Sequence, residues 1–169
     1  MNSSSTSVSQ PGILWRVSVS PRQEKNDPHG NAVLHDIHEL GLKHIQRVAS
    51  SRVFFIQGEI DDEAVSRVAR LLLADPITEV FNHRQGGDDR SLPGDGFDAA
   101  IEVHLKGGVM DPVAGSTIEA MADMGLDTAG LAVATARLYR LKGIASIAEV
   151  ETIARRLLSN GCIEDVHLT

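Results

Sequence analysis

The chain has a single cysteine, Cys162, in 169 residues. A lone thiol closes no internal disulfide, so the fold must be held by packing and hydrogen bonds, and such sparing use of cysteine fits a reducing compartment. Its neighbours Gly161 and Ile163 suggest a semi-buried position at the entrance of a strand. Basic charge is also scarce: 16 Lys and Arg face 23 Asp and Glu, for a formal net charge of −7. Non-specific nucleic-acid binding is largely electrostatic and needs a basic face, so this balance speaks against a nucleic-acid partner. No apolar run approaches the roughly 18–20 residues that span a bilayer. The opening residues MNSSSTSVSQPG have neither the basic start nor the apolar core of an export signal. The expectation is a cytoplasmic protein with no membrane partner. Catalytic equipment is missing too: there is no Gly-rich phosphate loop, no Ser or Cys in a nucleophile-elbow context, and no pair of motifs that would build a triad. No catalytic residue and no cofactor are expected.

What the chain does have is an ordinary globular composition, 42% hydrophobic and 23% charged, written out twice. Asp27-Pro28 opens a helix-like stretch that ends at Gly41-Leu42, and Asp111-Pro112 opens another that ends at Gly125-Leu126, each 84 positions on. Farther along the register is 85: Val65, Val68, Ala69, Leu72 and Leu73 return as Val150, Ile153, Ala154, Leu157 and Leu158. Solenoid units run about 20–50 residues, so this longer period reads as two copies of one small folding unit.

Residues 1–12 are Ser-rich and polar, and read as a disordered leader. The first copy, 13–81, opens with a strand in which Trp15, Val17 and Val19 alternate with polar residues. Asp27 caps the helix that follows, Pro28 suits its first turn, and Val33, Ile37 and Leu40 recur at helical spacing. A β-branched and aromatic run within 45–60 gives one long strand or a hairpin. A second amphipathic helix, 61–73, has acidic residues in its first turn, and Asp75-Pro76 stops it before a last strand at 77–81. Residues 82–98, rich in Gly and Asp and without periodicity, read as a linker. The second copy, 99–169, repeats the order: strand 101–105, helix 112–124, strand 136–141, helix 147–158 and strand 163–168. The fold class is therefore α+β, with two β-α-β(β)-α-β units. A unit of about 70 residues rarely draws more than a few kcal/mol from its own core. The two copies are expected to pack together as one intrachain pseudo-dimer, which also covers open sheet edges.

The segment Lys106-Gly107-Gly108-Val109-Met110-Asp111-Pro112-Val113-Ala114-Gly115, with Ile118 and Gly125, resembles the strand-to-helix loop of the PurS family. This family is the small subunit of phosphoribosylformylglycinamidine synthase. The tail Leu157-Leu158-Ser159-Asn160-Gly161-Cys162-Ile163-Glu164-Asp165 resembles the family's closing signature. The first copy keeps Asp27-Pro28, Gly30, Gly41 and Leu72-Leu73-Ala74-Asp75-Pro76-Ile77, but has Pro21-Arg22-Gln23-Glu24-Lys25-Asn26 where the family approaches the Asp-Pro through glycines. In the second copy Arg137-Leu138-Tyr139-Arg140-Leu141-Lys142-Gly143 only approximates the family's Arg-x-Gly-Lys strand. The resemblance implies a non-catalytic accessory role in purine biosynthesis. It implies partners of two kinds, a PurL-type synthetase subunit and a PurQ-type glutaminase subunit, bridged so that ammonia passes between them. The large single-chain synthases carry an N-terminal region similar to a fused pair of such units, so this chain is either the pair on its own or the front of a longer synthase.

Partner-interface candidates are Lys106, Gly107, Gly108 and Asp111 in the loop, and Arg137, Tyr139 and Arg140, a residue mixture typical of interface anchors that faces either a partner or the sister copy. The loop also has a purely structural reading, with the glycines making a turn and Asp111 capping a helix. His29, His35, His38 and His44 are a conceivable metal set, but helical histidines beside Asp36 and Glu39 are better read as solvated surface, and no metal is expected. Glu164 and Asp165, adjacent in a strand, point to opposite faces and do not form a joint acid-base pair. The alternative from another class is an ACT-like ligand-sensing module, since tandem units of this order also describe such domains.

Overall fold

Asp27 and Asp111 begin the two halves alike. Each accepts a hydrogen bond from the backbone N–H three residues on, Gly30 at 2.7 Å and Ala114 at 2.9 Å, with proline in the first helical turn. Each helix ends at a glycine in the left-handed region, Gly41 (φ +95°) and Gly125 (φ +82°), a conformation a side chain would disfavour. These caps delimit α1 (Pro28–Glu39) and α3 (Pro112–Asp123).

A computed structural model of the chain describes residues 12–87, 92–94 and 96–169; most of the expected leader therefore lies outside the described residues. Six strands form one antiparallel sheet: β1 (Ile13–Pro21), β2 (Arg47–Gly58), β3 (Glu79–Gln85), β4 (Ala99–Leu105), β5 (Ala132–Lys142) and β6 (Glu164–Leu168). Their order across the sheet is β3-β1-β2-β5-β4-β6, with the two copies joined through the long central strands β2 and β5. The run within 45–60 is thus one strand, not a hairpin. β3 starts later than the sequence suggests, because Asp75 accepts from the N–H groups of Ile77 and Thr78 and holds these residues in a turn, and it ends later because it pairs with β1 as far as Gln85, opposite Trp15. The remaining helices are α2 (Asp62–Val68) and α4 (Ile147–Ile153), each continuing into a wider π-type turn, Ala69–Leu73 and Ala154–Leu158.

The copies share their cores. One apolar cluster unites Val33 and Ile37 of α1 with Ile101 of β4, Leu141 of β5, and Ile153 and Leu158 of the last helix. The other unites Val17 of β1, Phe54 of β2 and Val65 of α2 with Met121 of α3. The first helix of each copy therefore seals the core over the other copy's last helix. In isolation the second copy would lose the cover of Val33, Ile37, Ile45 and Val48, and the first copy that of Met121 with the partly buried Met124, Leu126, Leu131 and Val133, cover that matters in units this small. Trp15, in the second cluster, donates from its indole N–H to the Ile60 carbonyl at 2.9 Å, so its burial leaves no polar atom unpaired.

The helices cover one face of the sheet. The other face carries Val53, Ala100, Ala136 and Leu138, with Leu92 from the segment between the copies packed on them. Phe97 of the same segment is buried, with the Arg47 and Arg140 guanidinium carbons 4.2 and 4.7 Å from its ring centre. Residues 82–85 of the expected linker are instead the end of β3, paired with β1, whereas Leu92 and Phe97 lie against the sheet.

Candidate partner surfaces and the polar ties beneath them

The duplication extends to individual hydrogen bonds. Besides capping α1, Asp27 accepts from the Ser50 N–H at 2.6 Å and the Ser50 hydroxyl at 2.8 Å. Asp111 likewise accepts from the Thr135 N–H at 2.9 Å and its hydroxyl at 2.8 Å. Each aspartate therefore pins a helix start to the central strand of its own copy. Gly30 lets α1 come close: a Cβ there would sit 2.6 Å from the Val48 carbonyl oxygen.

At the middle of the β2–β5 ladder Arg52 lies opposite Arg137, its own counterpart 85 positions on. Arg52 donates to the Leu73 carbonyl at 3.0 Å and pairs with Glu79 at 2.7 Å. Arg137 donates to the Leu158 carbonyl at 3.2 Å and pairs with Glu164 at 2.5 Å. Each arginine closes the carbonyl end of a π-type turn and is neutralised by the strand after it, so like charges tolerate their position at the local twofold.

The anticipated interface residues separate. Lys106, Gly107 and Gly108 form the turn between β4 and α3, where the Lys106 ammonium donates to the Gly161 carbonyl at 2.6 Å and lies 3.9 Å from Asp165. Both glycines are exposed, and at the far side of the turn Met110 is 82% exposed and Val113 54%. Asp111 is committed to its cap and tie. Arg137 and Tyr139 face the helices, whereas Arg140 faces the opposite side beside Phe97. Tyr139 is 1% exposed, and its hydroxyl meets His29 Nε2 of the other copy at 2.8 Å. Burial raises the Tyr139 pKa above that of a free phenol, although the charge and hydrogen bonding of Arg137 oppose this.

The histidines considered as a metal set diverge. His29 goes to Tyr139, His38 to the Ile45 carbonyl at 2.8 Å, His44 to Glu149 at 3.2 Å, and His35 is exposed. Among the described residues no three His, Cys, Asp or Glu gather as a metal site. Glu164 and Asp165 part as expected, one turned to Arg137 and the other to Lys106. Cys162 is exposed, a correction to the semi-buried position: the turn that precedes β6 points outward, and the Cys162 N–H is held by the Asn160 side chain.

A cluster that the sequence does not advertise lies on the face away from the helices. Arg16 of β1, 2% exposed, reaches over β2 and β5 to Glu102 of β4, with Nη1 to Oε1 at 3.0 Å and a second bond from Nη2 to Oε2. Arg16 also donates to the Gly87 carbonyl at 3.2 Å, and His104 Nε2 lies 2.7 Å from Glu102 Oε1. Burial pushes the Glu102 carboxyl upward, but the hydrogen bonds and charges of His104 and Arg16 outweigh it and lower its pKa to about 2. Nothing marks these residues in the sequence except their alternation with the apolar face, which any half-exposed strand would show.

No helix of the described residues is long and apolar enough to cross a membrane. The PurS sequence model, described as phosphoribosylformylglycinamidine (FGAM) synthase, matches the chain twice, over residues 14–85 and 98–169. No curated protein matches. Among solved structures, PurS from B. subtilis is similar at 24% identity and a TM-score of 0.40, covering 44% of this chain and 99% of that one. The two matched segments coincide with the two units that interlock in the sheet and occupy most of the sequence, and on that ground the chain belongs to the PurS family, carrying the family's unit twice in one polypeptide.

Proposed function

We propose that this chain is a non-catalytic accessory subunit, or domain, of phosphoribosylformylglycinamidine synthase. It bridges a PurL-type synthetase and a PurQ-type glutaminase component so that ammonia released by one reaches the other. The observation that carries this reading is the family match over both halves of the chain. The chemistry of the described residues supports it. The strongest polar groups are spent on internal ties, Asp27 and Asp111 on helix starts, Arg52 and Arg137 on carbonyl ends, and Arg16 on Glu102. Among the groups that face outward is a turn with a lysine, two glycines and the exposed apolar side chain of Met110, a surface suited to contact.

Glutamine-dependent amidine formation by the synthetase and glutaminase of the same organism, measured with and without this chain, tests the proposal. Activity and co-elution of the three components that both depend on the chain are the expected result. Equal activity without it, with no co-elution, would overturn the reading.

A further inference from the structure

We propose that the groove between α3 and the π-type turn after α2 receives a tyrosine side chain presented by a partner protein. The groove has a volume of about 450 Å³, and its walls lie wholly within the described residues. Phe54 of β2 is its floor, Val113, Thr117 and Ala120 of α3 form one wall, and Leu72 forms the other. Arg52 stands beside the floor, its guanidinium carbon 6.0 Å from the Phe54 ring centre. The hydroxyls of Ser116 and Thr117 bond back to the Pro112 and Val113 carbonyls, so Arg52 is the polar group left to meet a guest.

The duplication shows what belongs in such a place. Val113 corresponds to His29, 84 positions earlier, and Phe54 to Tyr139, 85 positions later. There the gap is closed from within: the His29 and Tyr139 ring centres are 5.5 Å apart, and His29 Nε2 meets the phenol oxygen at 2.8 Å. Arg137 acts on the same oxygen through its charge and hydrogen bonding. On the open side the guanidinium is kept as Arg52, but phenylalanine brings no oxygen and valine brings no ring. The missing parts are a phenol oxygen beside an arginine and a flat ring over an aromatic floor, and one tyrosine side chain supplies both.

Charge agrees with a neutral hydroxyl. The hydrogen bonds of Arg52 run through Nη2 to the Leu73 carbonyl and the Glu79 carboxylate, and its side chain is 52% exposed, so donors remain for an incoming oxygen. Glu79 already neutralises the guanidinium, just as Glu164 neutralises the Arg137 that acts on a phenol. The groove is open along its length, with Val113 54% exposed on its rim. A free small ring would keep one face in water, whereas a side chain carried by a protein brings its own cover, the way tyrosine anchors contribute to interfaces. Such an occupant needs a partner protein, and in that alone the inference rests on the bridging role.

The test is an NMR titration of the full chain, with its leucine and valine methyls carbon-13 labelled, at neutral pH. The probe is p-cresol, the tyrosine side chain without its backbone. Its comparison compounds are 4-methylaniline, of the same shape but with a donor in place of the acceptor, and the anion 4-methylbenzoate. Saturable shifts of the Leu72 and Val113 methyls with p-cresol are expected, and none at Leu157, the counterpart of Leu72 on the closed side. Both comparison compounds should bind at least about threefold more weakly, the loss of one hydrogen bond. Phe54→Tyr with Val113→His rebuilds the pair of the closed side, and should abolish the Leu72 shift and weaken assembly with the synthetase and glutaminase components at least tenfold. The proposal falls if the shifts do not saturate, if Leu157 moves as Leu72 does, or if either comparison compound binds as tightly as p-cresol. It falls also if a double variant that no longer binds p-cresol assembles as the parent does. The parent titration decides the matter even if the double variant folds poorly. Binding of p-cresol by a parent chain that meets neither component would uphold the groove and remove the bridging role, so the two readings fail separately.

Discussion

Arg16 and Glu102 belong to strands that are not neighbours, yet their side chains form a doubly hydrogen-bonded pair across two intervening strands. The pair ties the first strand of one copy to the first strand of the other, on the face that the helices leave open. It has no counterpart related by the duplication, since the matching positions hold Ala100 and Ser18.

Removing one member leaves an uncompensated buried charge. Glu102→Gln is expected to destabilise the chain by about 3–5 kcal/mol, and so is Arg16→Met, whereas Arg16→Met with Glu102→Leu should recover most of the loss. Urea unfolding of the four chains closes the cycle. Additive losses in the double variant would show that the pair does not act as a unit.

The same carboxylate sets an acid limit. Its folded pKa, about 2, is below the ordinary 4.5, so the unfolded chain takes up a proton first as pH falls. The stability Glu102 contributes is therefore fully present above its ordinary pKa and is lost between pH 4.5 and about 2. Unfolding free energies measured across that window should fall more steeply in the parent than in Glu102→Gln. Parallel curves would assign the acid sensitivity to other groups.

Asp27 and Asp111 perform the same two tasks in different surroundings. Asp27 is 2% exposed and Asp111 lies nearer the surface. Loss of a cap costs about 0.5–2 kcal/mol, and orphaning the part-buried Ser50 N–H adds about 1 kcal/mol or more. Asp27→Ala should thus lower stability by about 2–4 kcal/mol, with Asp111→Ala costing less because Asp111 itself and its cap bond lie nearer the surface. Thermal melts of the two variants rank them directly, and a larger loss at Asp111 would contradict the exposure argument.

These ties also mark how far the sequence could be read. The duplication, helix starts at Asp27-Pro28 and Asp111-Pro112, and the apolar stripes of the last helices were all legible, because caps and periodicity act within a few residues. What the stripes faced was not. Periodicity shows that Val33 and Ile37 are buried but not that the other copy's Ile153 is nearby, since that choice is made by the sheet order. Composition marked Tyr139 as an interface anchor without saying whether it meets a partner or the sister copy, and only the cross-copy bond to His29 shows where its hydroxyl goes. Arg16 and Glu102 are 86 residues apart, beyond any local signal.

The shared cores make residues 99–169 a demanding fragment. Without Val33 and Ile37, the apolar side chains of β4, β5 and α4 lose their cover, and α3 loses the cluster that buries Met121. The fragment is expected to lack a cooperative thermal transition as a monomer, or to recover one only by pairing with itself. Circular dichroism with sedimentation analysis distinguishes these states, and a monomer that melts cooperatively would refute the sharing of cores as the source of stability.

Met110 offers the sharpest separation of folding from assembly. It is 82% exposed on the Lys106 turn, and its side chain belongs to none of the apolar clusters. Substitutions at exposed positions away from buried features usually stay within about 0.5 kcal/mol, so Met110→Glu should melt as the parent does. If the turn is where a partner sits, a carboxylate placed in a desolvated contact should weaken complex formation by about 2 kcal/mol or more, a loss of at least tenfold in affinity. Co-elution with the synthetase and glutaminase components, read beside the melting temperature, separates the two effects. Unchanged assembly with unchanged stability would move the contact away from this turn, while the duplicated fold would stand as described.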